Sequence, residues 1–307
     1  GVSAATGGRT QGGPNESIIV ATGLTIAANN VEIDGFDLQL NSAGASIILD
    51  TTATARQNFT VTNKFVSNAT FAGGGIGVTG GLGFAGGSNL ISGNAISVTS
   101  GSGIGIDHPG GLGAGGSFTV SNNAISGTAF NAISANSNDS LIVSGNTISM
   151  IGSGSGISVI SDASAGVSNI TIGGNTITGA GTGNGIYIQD NDADAGTIEL
   201  VFQSGNIISN VGNGVVLSGI GISMPQQSFS NLAFNNISGN YFELQNVAVA
   251  QIFIGATQVT FDGLTYAASG GAGQAAIDAK IVDNADNASL SVIVLQVADI
   301  NVTTAQG

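Results

Sequence analysis

A short phrase that recurs along this chain constrains its fold more than any other feature. It reads Ser-Gly-Asn-Ala-Ile-Ser at 92–97 and returns with small changes at 121–126, 144–149, 173–178 and 204–209. Weaker copies surround Asn63 and Asn235 at either end of this region. Self-similarity at a fixed period indicates one structural unit stacked on copies of itself. We therefore expect a solenoid.

The asparagine of this phrase sets the period. Its successive steps are 31, 29, 23, 29, 31 and 29 residues, and a separate Gly-Ile-x-Ile phrase recurs at 28, 29, 24, 29 and 29. The short steps of the two series overlap over residues 133–146, so one unit lacks several residues there. The marker asparagines are Asn63, Asn94, Asn123, Asn146, Asn175, Asn206 and Asn235.

Each unit predicts three short strands. Around Asn146 they cover 141–143, 147–149 and 156–160, with alternation at period two and breaks at Gly, Ser and Asn. Three strands per turn of roughly 29 residues predict an all-β fold, a right-handed parallel β-helix solenoid. We expect inward aliphatic side chains to stack in columns and the marker asparagines to form an amide ladder along one corner. About ten coils, spaced by about 4.8 Å, would give a rod on the order of 50 Å long.

The repeat does not extend to either end of the sequence. Residues 1–17 are polar and Gly-rich and predict an N-terminal arm, and the phrase decays after Asn240. We therefore predict a parallel β-helix over 18–262 and a C-terminal cap or pairing strands over 263–307. An open solenoid end exposes unpaired backbone and must be covered or used for association.

Charge and composition exclude several classes of partner. Four basic residues against eighteen acidic ones give a net charge of −14, so no basic surface for nucleic acid or an anionic membrane can be built. No run of eighteen apolar residues predicts a membrane span. Lys and Glu are scarce and the chain begins with Gly1 rather than Met, from which we predict an exported protein, extracellular or at the cell surface.

One segment carries a family resemblance. Residues 27–40, which include Val-Glu-Ile-Asp-Gly-Phe-Asp-Leu, resemble the opening coils of secreted pectate-lyase-like proteins. Over roughly 20–262 the chain resembles the right-handed parallel β-helix superfamily. That family includes polysaccharide lyases, polygalacturonase-like hydrolases, phage tailspikes and surface adhesins, so the resemblance implies an extracellular protein but no particular activity.

The catalytic residues of that family are not matched here. Its lyases use Arg or Lys beside calcium-binding carboxylates, and Arg56 and Lys64 have no such cluster near them in the sequence. Its hydrolases use clustered Asp with His, whereas this chain has a single histidine, His108, next to Asp107. Adjacent residues at a strand end point to opposite faces, which disfavours a dyad. We predict that the chain is not an enzyme.

The acidic stretch Asp190-Asn-Asp192-Ala-Asp194 is the sharpest candidate site. Alternating carboxylates in a turn can converge on a hard cation, and calcium is the one cofactor that the sequence suggests. The spacing does not match an EF-hand loop, so a solvated acidic loop is the alternative. A Thr-x-Thr array of the kind that binds ice is also lacking, since Thr171, Thr176 and Thr178 are scattered.

Three functions follow from this reasoning. The first is an exported structural protein that self-associates into a fibre, sheath or surface layer, as a homopolymer formed through the solenoid ends or the N-terminal arm. The second is a surface adhesin that binds a glycan or other ligand through the loops between 79 and 228, which project from one side. The third is a polysaccharide-active enzyme using Asp107, Asp190, Asp192 or Asp194.

Overall fold

The computed structural model is a parallel β-solenoid of three sheets. It describes residues 17–21, 23–40, 47–50, 53, 56–68, 75–79, 87–98, 101–107, 116–136, 140–161, 167–191, 197–203, 205–219, 222–223, 232–245, 251–255, 260–261, 264–265, 281–283, 292–297 and 300–304. Through most of the rod, successive strands along the chain enter different sheets, and each strand pairs in parallel with its equivalent, usually about 29 residues later. The last two strands of the first sheet, at 260–261 and 264–265, are an exception and pair antiparallel. The predicted all-β fold, with three strands per coil, is confirmed.

The first sheet follows the asparagine corner and contains eleven strands. They are β1 (Ser17–Ala21), β4 (Phe36–Leu40), β7 (Phe65–Asn68), β10 (Ala95–Val98), β13 (Ala124–Thr128), β16 (Thr147–Met150), β19 (Thr176–Thr178), β22 (Ile207–Ser209), β25 (Ala233–Asn235), β28 (Thr260–Phe261) and β29 (Leu264–Thr265).

The second sheet contains ten strands. They are β2 (Leu24–Ile26), β5 (Ile47–Asp50), β8 (Ile76–Thr79), β11 (Ile104–Asp107), β14 (Ile133–Asn136), β17 (Ser155–Ser161), β20 (Asn184–Asp190), β23 (Asn213–Ser218), β26 (Phe242–Gln245) and β30 (Ile281–Asp283).

The third sheet contains eight strands and precedes the asparagine corner. They are β3 (Val31–Asp34), β6 (Phe59–Thr62), β9 (Gly87–Ser92), β12 (Gly116–Ser121), β15 (Ser140–Ser144), β18 (Val167–Gly173), β21 (Thr197–Phe202) and β24 (Ile222–Ser223). Because a complete coil needs one strand from each sheet, the described residues form fewer complete coils than the ten predicted.

Strand register aligns the repeated isoleucines into columns inside the rod. In the first sheet Ile96 pairs with Ile125, Ile125 with Ile148 and Ile148 with Ile177. All four are buried, and the residues on either side of each point outward. Burial of such a side chain contributes roughly 1.5–3 kcal/mol, so an apolar position that recurs in every coil adds stability along the whole column.

The short coil lies where the two series predict it. Only residues 137–139 separate β14 from β15, whereas residues 108–115 separate the equivalent strands β11 and β12 one coil earlier. The strands themselves are unchanged, and Ile133 pairs with Ile157 as the other coils pair. The missing residues are therefore removed from a connection and not from the core.

The two ends of the chain add strands to the rod. β1 pairs in parallel with β4, and β30 pairs in parallel with β26. β1 precedes the first full copy of the repeat phrase, and β30 follows the last one. A separate sheet joins β27 (Gln251–Gly255), β31 (Val292–Val297) and β32 (Ile300–Thr304), the last two antiparallel. No helix among the described residues is long and apolar enough to cross a membrane.

Gly105 lies in β11 and Gly103 lies immediately before it, and the two glycines provide a matched test of this packing. A Cβ at Gly103 would lie 2.4 Å from Ile125 Cγ2 and 2.9 Å from the Ala132 carbonyl oxygen, whereas a Cβ at Gly105 meets nothing within 4 Å. We expect Gly103→Ala to destabilise the fold by about 1–3 kcal/mol. Gly105→Ala should be neutral or slightly stabilising. Urea unfolding measures both, and equal effects would contradict the stacking of these coils.

Candidate functional site

Five of the marker asparagines form a continuous ladder at the corner between the third and first sheets. Asn94, Asn123, Asn146, Asn175 and Asn206 are buried. Each of the first four donates its side-chain Nδ2 and its backbone N–H to the Oδ1 of the next asparagine, at 2.9–3.1 Å. The amides therefore run in one direction through five coils.

The second proton of each ladder amide is also bonded. Asn146 Nδ2 donates to the Val120 carbonyl at 2.9 Å, and Asn175 Nδ2 donates to the Val143 carbonyl at 3.0 Å. These carbonyls belong to the third-sheet strand of the preceding coil. A buried backbone oxygen at a corner needs a donor, because its desolvation is costly when no bond replaces water. The ladder therefore ties each corner to both of its neighbours.

The ends of the ladder differ from the prediction. Asn63 was expected to continue the ladder, but Phe65 pairs with Ala95, so Lys64 and not Asn63 is equivalent to Asn94. Asn63 occupies the preceding position, which has a positive φ of 54°. Asn tolerates this left-handed conformation better than most residues, so the same residue type serves two different positions of one corner.

At the other end, Asn235 is also outside the ladder. It pairs with Ser209, while the buried Leu232 precedes β25 at the position equivalent to Asn206. Since a leucine side chain offers no amide, the ladder ends at Asn206. The repeated asparagines of the sequence Asn-Asn-Ile at 235–237 resemble the phrase but lie in a different register.

A buried lysine closes the N-terminal end of the ladder. Lys64 is 1% exposed, its backbone N–H donates to Asn94 Oδ1 at 3.0 Å, and its Nζ lies 4.1 Å from the Phe36 ring centroid. The ladder carbonyls point toward this end, so the ammonium lies at the negative end of the aligned amide dipoles. Opposite charges at a dipole end stabilise in the same way as at a helix terminus. Lys64 therefore packs inside the rod at the corner, at the position where later coils have an asparagine.

The predicted calcium site is only partly within the described residues. Asp190 is 7% exposed at the end of β20, in register with the buried Ser161 on the inner side of the strand. Asp192 and Asp194 lie outside the described residues, as does His108, and the side chain of Asp107 is not described. Among the described residues no group of three or more His, Cys, Asp or Glu could hold a metal ion.

The described residues do form one extended surface with an unusual composition, on the outer side of the first sheet. Two outward columns run along it from β7 to β25, with one member from each strand, and we call this surface the uncharged face. The first column is Phe65, Ala95, Ala124, Thr147, Thr176, Ile207 and Ala233. Phe65 is only 9% exposed, so its side chain is mostly covered. The second column is Ser67, Ser97, Ser126, Ser149, Thr178, Ser209 and Asn235.

Charge is segregated away from this face. Every acidic residue between Phe65 and Tyr241 lies at the end of a second-sheet strand, in the connection that follows, or in the third sheet. They are Asp107, Asp139, Asp162, Asp190, Asp192, Asp194 and Glu199. The same stretch contains no Lys or Arg. Among the described residues of this stretch, Asp107 and Asp190 end second-sheet strands and Glu199 lies in the third sheet, so no described acidic residue between Phe65 and Tyr241 lies in the first sheet. The uncharged face is therefore neutral along these seven strands.

Exposed apolar side chains lie on the uncharged face and beside it. Ile207 is 40% exposed in the first column, and Ile151, which follows β16 with its side chain outward, is 60% exposed. Phe130 lies one coil before Ile151 at the same corner and is 59% exposed. Clustered exposed apolar residues of this size indicate an interaction surface more often than isolated ones do.

Comparison with known proteins does not assign this chain to a family. No family profile, no curated protein and no solved structure matches it. The parallel solenoid agrees with the fold of the superfamily that the sequence resembles, and the pectate-lyase-like relationship itself stays a prediction.

The ladder can be tested at its centre. We expect Asn146→Ala to leave the backbone N–H of Asn123 and one proton of its Nδ2 without an acceptor inside the rod, and to destabilise the rod by roughly 2–5 kcal/mol. The backbone N–H of residue 146 would still donate to Asn175 Oδ1. Thr147→Ala, one residue away and exposed, should stay within about 0.5 kcal/mol of the parent. The urea midpoints of the two variants measure this difference, and similar midpoints would show that the ladder contributes little.

The position of Asn63 at the corner can be tested through its hydrogen bond to Asp34. Its Nδ2 donates to Asp34 Oδ1 at 2.8 Å, and this bond, with a second from the Thr62 hydroxyl, lowers the pKa of Asp34 below its ordinary value of 3.8. The associated stability is therefore present above the ordinary pKa and is lost as pH falls through the lower, folded value.

We expect Asn63→Gly, which keeps the left-handed backbone accessible, to raise the pKa of Asp34 toward its ordinary value. An NMR titration of the Asp34 carboxyl measures the shift. Asn122→Gly, at the equivalent corner position of a later coil with a φ of 55°, is the matched control and should leave Asp34 unchanged. An unchanged pKa in the Asn63 variant would contradict this assignment.

Proposed function

We propose that the protein is an exported structural solenoid that associates side by side with copies of itself through the uncharged face. The observation that carries this proposal is the segregation of charge. A chain with a net charge of −14 repels its copies wherever its carboxylates meet. The uncharged face lets two rods approach over seven strands without bringing like charges together or burying an unpaired charge.

The size of the face determines the strength of this association. Seven strands at about 4.8 Å give a length of about 29 Å, and three residues across give a width of about 10 Å, so each copy offers roughly 300 Å². A stable interface buries about 800 Å² per partner. A single pair is therefore weak, and end-to-end alignment of several rods, which multiplies the contact, favours a fibre or layer over a discrete dimer.

The other two functions that the sequence suggests depend on other parts of the chain. The adhesin hypothesis uses the loops between 79 and 228, much of which lies outside the described residues. The enzyme hypothesis uses Asp107, Asp190, Asp192 or Asp194. Of these, Asp192 and Asp194 lie outside the described residues, and the side chain of Asp107 is not described. Ice binding would require threonine throughout the first column of the uncharged face, where alanine and isoleucine occupy several positions. We propose an extracellular or cell-surface location, based on the scarcity of Lys and Glu.

A charge on the uncharged face tests the proposal. We expect Ser126→Glu to weaken self-association about tenfold or more, because a carboxylate would be buried between two neutral faces. Thr119→Glu adds the same charge to the outer side of the third sheet in the same coil and serves as the control. Sedimentation velocity over a wide range of concentration at fixed salt measures both variants.

Two outcomes would contradict the proposal. One is a parent chain that stays monomeric at every concentration. The other is an equal loss of association in the two variants, which would indicate a general charge effect and not a particular face.

A further inference from the structure

The first column of the uncharged face varies in side-chain size from one end to the other. In order along the rod it reads Phe, Ala, Ala, Thr, Thr, Ile, Ala. Two flat sheets pack closely only where large residues on one meet small residues on the other, since voids and clashes both destabilise. The order of sizes therefore restricts how two copies can be placed.

We propose that two copies pair antiparallel, related by a twofold axis that runs along the strand direction through Thr147. This proposal rests on the proposed self-association and adds the geometry of its partner. Such an axis reverses the rod and keeps the strand direction, so each column meets the same column of the other copy. A twofold contact of this kind is isologous, and any pair of residues then occurs twice.

This placement matches sizes along the exposed part of the column. Ile207 of one copy lies opposite Ala95 of the other. Thr176 lies opposite Ala124, and Thr147 meets its own equivalent on the axis. The large exposed residue of the column, Ile207, therefore faces an alanine, and the mostly covered Phe65 adds no contact.

Neighbouring registers match less well. Moving the axis by half a coil toward the N-terminus takes Ile207 away from Ala95 and places it opposite Phe65, which is larger and only 9% exposed. Moving it by half a coil the other way places Ala95 opposite Ala233, which leaves a gap. A shift of the axis by one whole coil toward the N-terminus pairs Ala124 with itself. The same shift toward the C-terminus pairs Ala124 with Ala233. Both leave a gap between two alanines.

The second column is compatible with an axis at this coil, and one further feature agrees with it. Because six consecutive members of the second column are Ser or Thr, it pairs hydroxyl with hydroxyl at this register and at its neighbours, so its polar groups keep hydrogen-bonding partners. Ile151, which is 60% exposed, belongs to the same coil as Thr147 and Ser149. The axis brings the two Ile151 side chains together at one edge, where each would cover the other.

Single cysteines test the arrangement because the chain contains none of its own. The probe is a short bis-maleimide, applied at a concentration at which the parent chain associates. Thr147→Cys should cross-link to itself. Ala95→Cys and Ile207→Cys should each give little dimer alone and a strong heterodimer when mixed. Thr119→Cys, on the third sheet, is the control for random collision.

The outcomes separate the pairing geometry from the proposed function. If Thr147→Cys gives no more dimer than the control, or cross-links to Ser149→Cys much better than to itself, the antiparallel arrangement is wrong. The second result would indicate an axis along the rod, and self-association through the uncharged face would still stand. If the parent sediments as a monomer throughout, the proposed function fails together with this inference.

Discussion

The structure depends on coils that stack in register at one corner. A sharp corner in each coil turns backbone polar groups toward the inside of the rod, where water cannot reach them. The buried asparagines satisfy these groups, since each side-chain amide bonds one carbonyl of the coil before it and the amide of the coil after it. A displacement of one coil by a single residue would break bonds to both neighbours and turn the isoleucine column outward. The ladder therefore specifies the register as well as adding stability.

A fixed register leaves the outward positions free to vary, and the chain uses them differently on its different sides. On the outer side of the first sheet the outward residues stay uncharged through seven strands. Between Phe65 and Tyr241 the acids lie at the ends of second-sheet strands, in the sequence that follows them, or in the third sheet, and the connections between these two sheets carry most of the variation in length. This division keeps acidic residues off the first sheet and leaves its outer side able to meet a copy. In a chain with so few charges overall, their distribution matters more to association than their number.

Much of the fold could be predicted because the repeat phrase is itself one corner and one strand. Its isoleucine is the core position. The asparagine spacing and the Gly-Ile-x-Ile spacing both place the short step at the same coil. The ends of the ladder could not be predicted, because Asn63 and Asn235 are asparagines that lie outside the ladder register. Only the strand pairing distinguishes a left-handed corner position from a ladder position. The uncharged face was present in the phrase as the residues on either side of the isoleucine. The phrase alone does not mark this surface, because its signal is the absence of charge from one sheet, and that becomes visible only when each strand is assigned to a sheet.

The most direct measurement of the central claim is hydrogen exchange of the asparagine side-chain amides, followed by NMR. Amide protons held between stacked coils exchange only when the rod opens locally. The account predicts slow exchange for the side chains of Asn94, Asn123, Asn146 and Asn175, with fast exchange for the exposed Asn122 and Asn236. Fast exchange at Asn123 and Asn146 in an otherwise folded chain would contradict it, since those amides would then be open to water and the coils would not be joined by a ladder.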